Sequence, residues 1–457
     1  MKTIFFIFSR GIVARNILRT DVFRILKERP DVRMALFVPR NIPDYFREEC
    51  AHPRVVLEES DDLSYGIFRR KIFEPLLQNT VYTATSKFMN RYSGRARRKS
   101  HRFLTYCFLH VLYTIWSHLP FLKPIFRFLE YHLFPDRVFD PYFEKYKPDL
   151  VVATTVMSKR DIAMMKAARR HEVPTVGLTR GWDNLDRLFM PFVPGKLVVQ
   201  NTLMKERAVR LHAIPAERIF VAGLPQFDIY RDQSIYKPRD EFLRGLGLDP
   251  ARKVILYGSE GQWAPNDEAI VRIIYRMIAN DELMAPCSLI IRPHFSDVYE
   301  HRFDEFRDKP NVFLEHDFRL SKFFTDMWDP SREEMVRLAN EFKHMDLLIT
   351  YISTIVLEGA IFDKPVINID FYADDEPDRG PYFGRWYGAS HYQDILKTGG
   401  VRLAKSAEDL KRLINMYLLK PETDRGKRKQ LVETMCGAID GRAGERIANF
   451  ILQELKT

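Results

Sequence analysis

Residues 347–369 read LLITYISTIVLEGAIFDKPVINI. The stretch begins with a short apolar run, passes through Ser353 and Thr354 into helical spacing, and ends in a second apolar run after Asp363-Lys364-Pro365. This order predicts a strand, a helix and a second strand. Two such strands pair in parallel through a right-handed crossover. The stretch therefore predicts one unit of a parallel α/β sheet.

The same alternation of apolar runs and helical stretches extends through most of the chain. In the first half, the predicted strands are Thr3–Phe8, Met34–Val38, Val55–Leu57, Asp149–Ala153, Thr175–Leu178, Lys196–Val199 and Ile219–Ala222. In the second half, they are Val254–Gly258, Leu289–Arg292, Val312–Leu314, Leu347–Thr350, Val366–Ile369 and Val401–Leu403. The predicted fold class is α/β, with two Rossmann-like parallel-sheet domains.

The domain organisation follows from the length of 457 residues, since one hydrophobic core rarely exceeds about 250–300 residues. A proline-containing loop (Pro225, Pro238 and Pro250) predicts a hinge between the two sets of strands. We predict a first domain over residues 1–235, with a helical insertion at about 66–140, and a second domain over 236–440 facing it across a cleft. A final helix over 441–457 is predicted to cross back onto the first domain.

The number and spacing of the cysteines bear on whether the chain is stabilised by disulfides or by structural zinc. The four cysteines (Cys50, Cys107, Cys287 and Cys436) are widely spaced and form no CxxC pair. This argues against a disulfide framework or a structural zinc site and favours a reducing, cytoplasmic compartment. The opening residues MKTIFFIFSRG are interpreted as a buried strand rather than a signal peptide, because no small-residue cleavage site follows the short apolar run.

The net charge of +10 is concentrated in one segment. Between Arg69 and Arg137 there are 13 Lys and Arg residues against three acidic residues, so the rest of the chain is neutral overall. Residues 87–102 carry seven of these basic side chains and no acidic one. A basic surface confined to one segment predicts a single anionic partner surface.

An uncharged stretch directly follows this basic run, residues 103–122, FLTYCFLHVLYTIWSHLPFL. His110, His118 and Pro120 make it a poor membrane-spanning helix. A buried helix pair is one alternative. Polybasic residues beside aromatic ones favour an interfacial hairpin on an anionic membrane. The predicted membrane-docking residues are Arg91, Arg95, Arg97, Arg98, Lys99 and Arg102. Nucleic acid is not a predicted partner, because no nucleic-acid-binding fold signature accompanies the basic run.

Candidate ligand-binding residues follow the predicted strands of the second domain, because ligands of open parallel sheets bind beyond the carboxyl ends of strands. Ser259 follows the strand VILYG in a turn of small residues suited to a phosphate. Arg292 and His294 flank Pro293 at the next strand end, where a guanidinium offers paired donors to an anion. Ser353 and Thr354 stand where a helix begins. Glu358, one turn deeper, suits the hydroxyls of a ribose or sugar.

Two further strand ends carry candidate residues in the first domain. Arg180, Trp182, Asp183 and Asn184 follow the strand TVGL, with Trp182 suited to stack on a sugar and Asp183 to act as a general base. Ser9-Arg10-Gly11 follows the first strand and is a candidate anion-binding turn.

No metal-binding motif is predicted. The acidic run Asp374-Asp375-Glu376-Pro377-Asp378 is interpreted as a solvated loop, and no Walker loop, GxGxxG, HExxH or GxSxG motif occurs.

Several of these motifs together resemble a known family. Arg292-Pro293-His294, Ser353-Thr354 with Glu358, and Lys364-Pro365-Val366-Ile367-Asn368 resemble the HP and S/T motifs of bacterial capsule and teichoic-acid transferases, including CDP-glycerol glycerophosphotransferase-like proteins. Three stretches of the first domain are also similar to that group: Gly181-Trp182-Asp183-Asn184, Val198-Val199 and Gly223–Asp228. The resemblance covers roughly residues 149–450 and implies a GT-B fold, metal-independent transfer, and donor phosphates bound by His294, Ser353 and Thr354.

The function that this resemblance implies is glycosyl transfer in cell-surface polysaccharide synthesis. A UDP-, CDP- or CMP-linked sugar would be the donor, held by the second domain without a cofactor, and a lipid-linked acceptor or oligosaccharide would bind the first domain. Catalytic roles are expected for Asp183 and His294. The enzyme is expected in the cytoplasm, peripheral on the inner face of the membrane. Two alternatives remain: a polyol-phosphate transferase of the CDP-glycerol type, and a nucleotide-sugar epimerase on the same fold.

Overall fold

The structure, a computed structural model, describes residues 1–61, 63–95, 101–264, 267–295, 301–324, 326–373 and 383–456. The chain divides into two compact units. Unit 1 comprises Met1–Asp228, Ser321–Asp329 and Gly437–Thr457, and unit 2 comprises Ile229–Leu320 and Pro330–Cys436. The boundaries at 228/229 and 436/437 differ by a few residues from the predicted 235/236 and 440/441.

Each unit contains one sheet whose strands are all parallel. The strands of unit 1 are β1 (Lys2–Ile7), β2 (Val32–Val38), β3 (Val55–Glu59), β4 (Leu150–Ala153), β5 (Thr175–Leu178), β6 (Lys196–Val199) and β7 (Ile219–Val221), in the order β3-β2-β1-β4-β5-β6-β7. Those of unit 2 are β8 (Lys253–Gly258), β9 (Cys287–Arg292), β10 (Val312–Leu314), β11 (Leu347–Thr350), β12 (Val366–Ile369) and β13 (Arg402–Ala404), in the order β10-β9-β8-β11-β12-β13. The predicted α/β class is confirmed.

Helices connect the strands in both units. Their bounds are α1 (Gly11–Leu18), α2 (Asp21–Glu28), α3 (Asp44–Cys50), α4 (Glu74–Gln78), α5 (Ala84–Arg95), α6 (His101–Ser117), α7 (Leu122–Leu133), α8 (Asp140–Tyr146), α9 (Lys159–Arg170), α10 (Asn184–Arg187), α11 (Thr202–His212), α12 (Arg239–Gly245), α13 (Asp267–Ala279), α14 (Arg332–His344), α15 (Ile355–Ile361), α16 (Ser390–Thr398), α17 (Ala407–Leu419), α18 (Arg425–Met435) and α19 (Ala443–Glu454). Among the described residues, none of these helices is both long and apolar enough to cross a membrane.

The sheet of unit 1 is covered by apolar side chains on both faces. Ile4 and Phe6 of β1 belong to one hydrophobic cluster, and Phe5 and Ile7 belong to another. Successive strand residues point to opposite faces, so a strand buried on both sides must be apolar throughout. This explains why the run TIFFIF could be identified as a strand from the sequence.

Residues 321–329 belong to unit 1 although they interrupt the part of the chain that forms unit 2. Phe323 and Phe324 pack on Phe46 of α3, with ring centres 5.2 and 5.7 Å apart. Asp326 accepts hydrogen bonds from the first amides of α1. These contacts explain why the segment joins the first unit, and no local pattern in the sequence marks it.

A buried network of ion pairs connects the helical segment between β3 and β4, which contains α4–α7, to the rest of unit 1. Lys166 of α9 donates to Glu130 at 2.7 Å, to Asp136 at 2.9 Å and to the Phe134 carbonyl at 2.7 Å. Arg69 also pairs with Glu130, and with Asp136 at 3.0 Å. The Lys166 side chain is fully buried and that of Glu130 is 2% exposed. Two cations and two anions therefore balance each other inside the unit.

We expect stability to fall in mild acid because of His212, which is fully buried in unit 1. Its Nδ1 accepts from the Met190 amide at 3.3 Å, and its Nε2 donates to the Leu185 carbonyl at 2.9 Å. Burial, with the charge of Arg127 also acting in this direction, lowers the pKa of His212 to about 3. Between that value and the ordinary pKa of 6.5, the unfolded chain binds a proton that the folded chain excludes. This group should therefore cost about 1.4 kcal/mol per pH unit below 6.5, or roughly 2 kcal/mol at pH 5.

Urea unfolding of the wild type and of His212→Gln at pH 7 and pH 5 measures this effect. Glutamine can preserve both hydrogen bonds but cannot titrate, so its pH dependence should be shallower. Equal pH dependence of the two proteins would contradict a neutral, buried His212.

Candidate functional site

Three of the predicted motifs lie side by side in unit 2. Strands β9, β8 and β11 are neighbours, and Gly258 of β8 pairs with Arg292 of β9 and with Thr350 of β11. The chain proceeds from β8 to β10 in one direction across the sheet and then to β11–β13 in the other. The strand order thus reverses between β8 and β11, the position where open α/β sheets bind ligands. The turns after these three strands form the candidate donor site.

The turn after β8 is held by internal hydrogen bonds. The Ser259 hydroxyl donates to Asp267 at 2.6 Å and accepts from the Gly261 amide at 3.0 Å. Asp267 also accepts from the hydroxyl of Tyr257 and from the amide of Glu260. Ser259 is therefore built into the turn through its side chain, and its phosphate contact stays a prediction. Asp267 was missed because nothing in its sequence neighbourhood distinguishes it from an ordinary residue of a first helical turn.

Arg292, at the end of β9, contacts acidic side chains of unit 2. Its guanidinium pairs with Glu315, lies 3.6 Å from Glu341, and stacks over the Phe318 ring at 5.2 Å. Burial of the Arg292 guanidinium acts to lower its pKa, but attraction to the charges of Glu315 and Glu341 is stronger, so the pKa of Arg292 is raised. Burial and the charge of Glu315 raise the pKa of Glu341, which favours its protonated form. Arg292 thus anchors the strand end, and its predicted contact with a phosphate stays a prediction.

His294 lies two residues beyond that anchor. Pro293 before it is buried and restricts the turn, and His294 itself is half-buried. The ring centres of His294 and Phe295 are 3.9 Å apart. The side chain that the sequence singled out is therefore on the strand end that Arg292 holds in place.

The turn after β11 leads into the short helix α15. Ser353 is half-buried and accepts a long hydrogen bond of 3.4 Å from the Ile355 amide. Thr354 is exposed at the N-cap position and makes no capping bond through its side chain. Glu358 is buried and accepts a hydrogen bond from the Tyr230 hydroxyl. Tyr230 was not singled out from the sequence, because it lies 128 positions away in the chain.

The turn after β5 contains the candidate acceptor residues of unit 1. The Asn184 side chain closes this turn by accepting from the Gly181 amide at 2.8 Å. Trp182 is 6% exposed, so its ring packs within the unit. Asp183 is partly exposed and lies 3.6 Å from Arg187. Arg180 is mostly buried, which lowers its pKa despite the nearby Asp183. The base and sugar-stacking roles of these residues stay predictions.

At the turn Ser9-Arg10-Gly11, the structure places a carboxylate of the chain itself. Asp326 accepts from the amides of Gly11 at 2.8 Å and of Ile12 at 3.3 Å, at the positive end of α1. A Cβ at Gly11 would lie 1.5 Å from the Trp328 carbonyl oxygen, so only glycine allows this close approach. The turn was predicted to bind an anion, and the Asp326 carboxylate of unit 1 is the anion that contacts it. A role for Ser9 and Arg10 in acceptor binding stays a prediction.

The predicted membrane-docking residues are only partly described. Arg91 and Arg95 belong to α5 and Arg102 belongs to α6, whereas Arg97, Arg98 and Lys99 lie outside the described residues. The acidic run 374–378 also lies outside them. Within the described ranges, no group of three or more His, Cys, Asp and Glu side chains could hold a metal ion.

Solved structures similar over the full chain identify the fold as GT-B. The Staphylococcus aureus MnaA–UDP co-structure is 15% identical with a TM-score of 0.53, covering 100% of this chain and 97% of its own. The UDP-GlcNAc 2-epimerase of Neisseria meningitidis bound to UDP-GlcNAc is 13% identical with a TM-score of 0.54, covering 99% and 100%. The wall teichoic acid polymerase TagF, as a histidine-to-asparagine variant with CDPG, is 14% identical with a TM-score of 0.51, covering 100% and 89%.

Within this fold, one family resembles the chain in sequence. The family model described as CDP-Glycerol:Poly(glycerophosphate) glycerophosphotransferase matches residues 287–453, from β9 into α19. The match includes His294, Ser353, Thr354 and Glu358, so the resemblance predicted from these motifs is confirmed for this part of the chain. No curated protein matches the chain. Together, the family match and the TagF likeness indicate a transferase.

Proposed function

We propose that the chain transfers a polyol phosphate, of the glycerol phosphate type, from a CDP-linked donor to an acceptor in the synthesis of a cell-surface polymer. The observation that carries this proposal is the family match over residues 287–453. The match includes two of the three strand ends that lie side by side in unit 2. Of the alternatives left open by the sequence, this favours polyol-phosphate transfer over sugar transfer.

The proposed reaction is a displacement at phosphorus. An acceptor hydroxyl attacks the phosphorus that carries the glycerol, forming a new P–O bond. The P–O bond of the diphosphate breaks, CMP leaves, and the hydroxyl proton passes to a base. Charge on the diphosphate and on the departing CMP must be stabilised in the transition state, where preorganised donors contribute most. No metal is required in this proposal, because side-chain and backbone donors supply that stabilisation.

His294 is proposed to contact the donor diphosphate and the departing phosphate. It is half-buried at a strand end that Arg292, Glu315 and Glu341 hold in place, so its position is set before the donor binds. Ser353 and Thr354 are proposed to bind the same phosphates, and Thr354 is exposed and not used as a side-chain cap. Glu358 is proposed for the ribose hydroxyls. Asp183 of unit 1 is proposed as the base for the acceptor hydroxyl.

A second candidate function is epimerisation of a nucleotide sugar. One neighbour reported above is a UDP-GlcNAc 2-epimerase bound to UDP-GlcNAc, and another is the MnaA co-structure with UDP. Each similarity covers nearly all of this chain and nearly all of the neighbour's chain. An epimerase would change UDP-GlcNAc with no acceptor present, whereas a transferase releases its nucleotide only by passing a group to an acceptor or to water. Product analysis with and without acceptor therefore separates the two functions.

Peripheral binding to the inner face of the cell membrane is proposed from the helical insertion. Eleven of the seventeen exposed large hydrophobic side chains in the described ranges lie between residues 67 and 138. The exposed apolar residues recur at helical spacing, as Phe108, Val111 and Ile115 of α6, and then as Phe121 at the N-cap of α7 with Ile125 and Phe128 of α7. Apolar faces beside a polybasic run are typical of helices that lie on anionic membranes. Such binding would bring the enzyme to a lipid-linked acceptor.

A thermal-shift panel tests the donor class. CDP-glycerol and CMP are expected to raise the melting temperature of the wild type by about 3 °C or more at saturating ligand, because they bind the folded state only. UDP-GlcNAc, GDP and dTDP should produce smaller shifts. The CDP-glycerol shift should be much reduced in His294→Ala and retained in His316→Ala, a matched control whose imidazole is half exposed. A shift with UDP-GlcNAc alone, together with its epimerisation without acceptor, would establish the second candidate instead.

A further inference from the structure

A large open cavity lies at the amino ends of three strands of the unit 1 sheet, β5, β6 and β7. It has a volume of about 650 Å³. Its lining includes Thr175, the first residue of β5, Gly195, directly before β6, and Arg218, directly before β7. Helix α7 of the insertion contributes Arg127 and Phe128 to its wall. Because ligands of the reaction bind beyond the carboxyl ends of strands, this cavity at their amino ends is separate from the proposed chemistry.

The cavity wall contains three arginines, Arg127, Arg169 and Arg218, and no carboxylate of the described residues pairs with them. Arg127 donates to the carbonyls of Met190 at 3.1 Å and His212 at 2.7 Å. Arg218 donates to the carbonyls of Gly195 at 2.9 Å and Pro194 at 2.5 Å. Each guanidinium has five N–H donors, so three on each of these two side chains are not used by contacts within the described part of the chain. The carbonyls fix the orientation of the two groups without neutralising their charge.

The side chains that line the cavity carry more positive than negative charge. The third arginine, Arg169, stacks over the Tyr131 ring with its guanidinium 4.6 Å from the ring centre, and among the described residues none of the three lies within 4.0 Å of a carboxylate. Glu172 is the acidic side chain in the lining, which leaves two positive charges in excess. Burial, followed by repulsion from Arg218, lowers the pKa of Arg127 to about 10. Two partly buried guanidiniums that repel each other would be stabilised by an anion between them.

An exposed apolar surface reaches the mouth of this cavity. Phe128 both lines the cavity and is 62% exposed, and it continues the exposed apolar stripe formed by Phe121, directly before α7, and Ile125 of α7. A ligand whose anionic group lies against the arginines can therefore place a hydrocarbon chain along this stripe. Free phosphate would use the charge of the site but none of its apolar surface.

We propose that this cavity binds the phosphate head group of a membrane lipid, with Arg127 and Arg218 as the principal contacts and the lipid chain along the apolar face of α7. A phosphomonoester fits better than a phosphodiester, because its three terminal oxygens and second charge match several unused N–H donors and an excess of two positive charges. The inference rests on the proposed membrane association and adds to it a selective lipid site.

Vesicle flotation of the full chain tests the proposal. Phosphatidylcholine vesicles containing phosphatidic acid, a phosphomonoester, are compared at matched surface charge with vesicles containing phosphatidylglycerol, a phosphodiester. The wild type should bind phosphatidic acid vesicles more tightly. The double variant Arg127→Gln/Arg218→Gln should lose that preference, weakening its binding to phosphatidic acid vesicles about 10- to 100-fold, as loss of charge-assisted hydrogen bonds predicts. Arg210→Gln, an exposed arginine on α11 that does not line the cavity, should bind as the wild type.

Each outcome of the experiment is informative, provided that circular dichroism shows the double variant folded. Equal binding of wild type to both vesicles, or a preference retained by the double variant, overturns the lipid site but leaves membrane association intact. Absence of binding to either anionic vesicle overturns both. If inorganic phosphate displaces the protein from phosphatidic acid vesicles as effectively as soluble dioctanoyl phosphatidic acid does, the site takes free phosphate and the lipid assignment is wrong. Donor binding, measured by the nucleotide panel, is independent of all these results.

Discussion

Replacing His294 with alanine is expected to lower the rate of polyol-phosphate transfer about 10²- to 10⁴-fold, the range found when a positioned acid–base or charge-stabilising side chain is removed. The melting temperature should change little, because His294 is half-buried at a strand end whose position is set by Arg292 and its acidic partners. Release of CMP from CDP-glycerol in the presence of acceptor is the appropriate measurement. The loss should appear in both KM and kcat, because His294 is proposed to contact the bound diphosphate as well as the departing phosphate.

Two further variants separate a role in the reaction from a structural one. His316→Ala removes a half-exposed imidazole from the same unit and should leave the rate near that of the wild type. His294→Asn keeps a hydrogen-bond donor without the ability to titrate, so it should retain more activity than alanine and lose the basic limb of the pH–rate profile, where the wild-type imidazole loses its proton. Full activity of both His294 variants would remove this residue from the mechanism.

The largest loss of stability is expected from Glu130→Ala, which should lower the free energy of unfolding of unit 1 by about 3–5 kcal/mol. Burial raises the pKa of Glu130, and the charges of Lys166 and Arg69 oppose this, so the carboxylate depends on its partners. Without it, two buried cations share the single carboxylate of Asp136. The uncompensated charge, rather than the lost hydrogen bonds alone, is the main cost. Chemical denaturation followed by tryptophan fluorescence measures the change.

A surface pair provides the matched control for this network. Glu28 forms an i,i+4 pair with Arg24 at 3.2 Å, with both side chains more than half exposed. Glu28→Ala should therefore change stability by about 0.5 kcal/mol or less. Similar effects of the two substitutions would show that the Glu130 network is solvated in solution and is not what holds the insertion to α9.

The strands were predictable because their burial leaves a local signal. A parallel strand that is covered on both faces must be apolar along its length, so runs such as KLVV at β6 and LLIT at β11 mark their positions within the sequence. The same logic placed Ser259, His294 and Ser353 at strand ends. Their adjacency follows from the strand order, which pairs β8 with β9 and with β11.

The partners of the candidate residues were not predictable in this way. Asp326 contacts Gly11 from 315 positions away, and Tyr230 contacts Glu358 from 128 positions away. The sequence predicted phosphate contacts for Ser259 and Arg292 but not the contacts that their side chains make with Asp267 and Glu315. A hydrogen-bonding group in a sequence can be identified as such, but its partner depends on which distant segment the fold brings next to it.

The sequence by itself determined the two parallel α/β sheets, the position of every strand that the structure describes, and the motifs that resemble glycerophosphotransferases. These properties depend on apolar periodicity and short-range turn chemistry, which neighbouring residues encode. Only the tertiary structure decided that residues 321–329 join unit 1, that Glu130 and Lys166 form a buried pair, and that Arg127 and Arg218 line one cavity. Long-range ion pairs and cavities arise from the packing of segments far apart in the chain, and no local pattern specifies them.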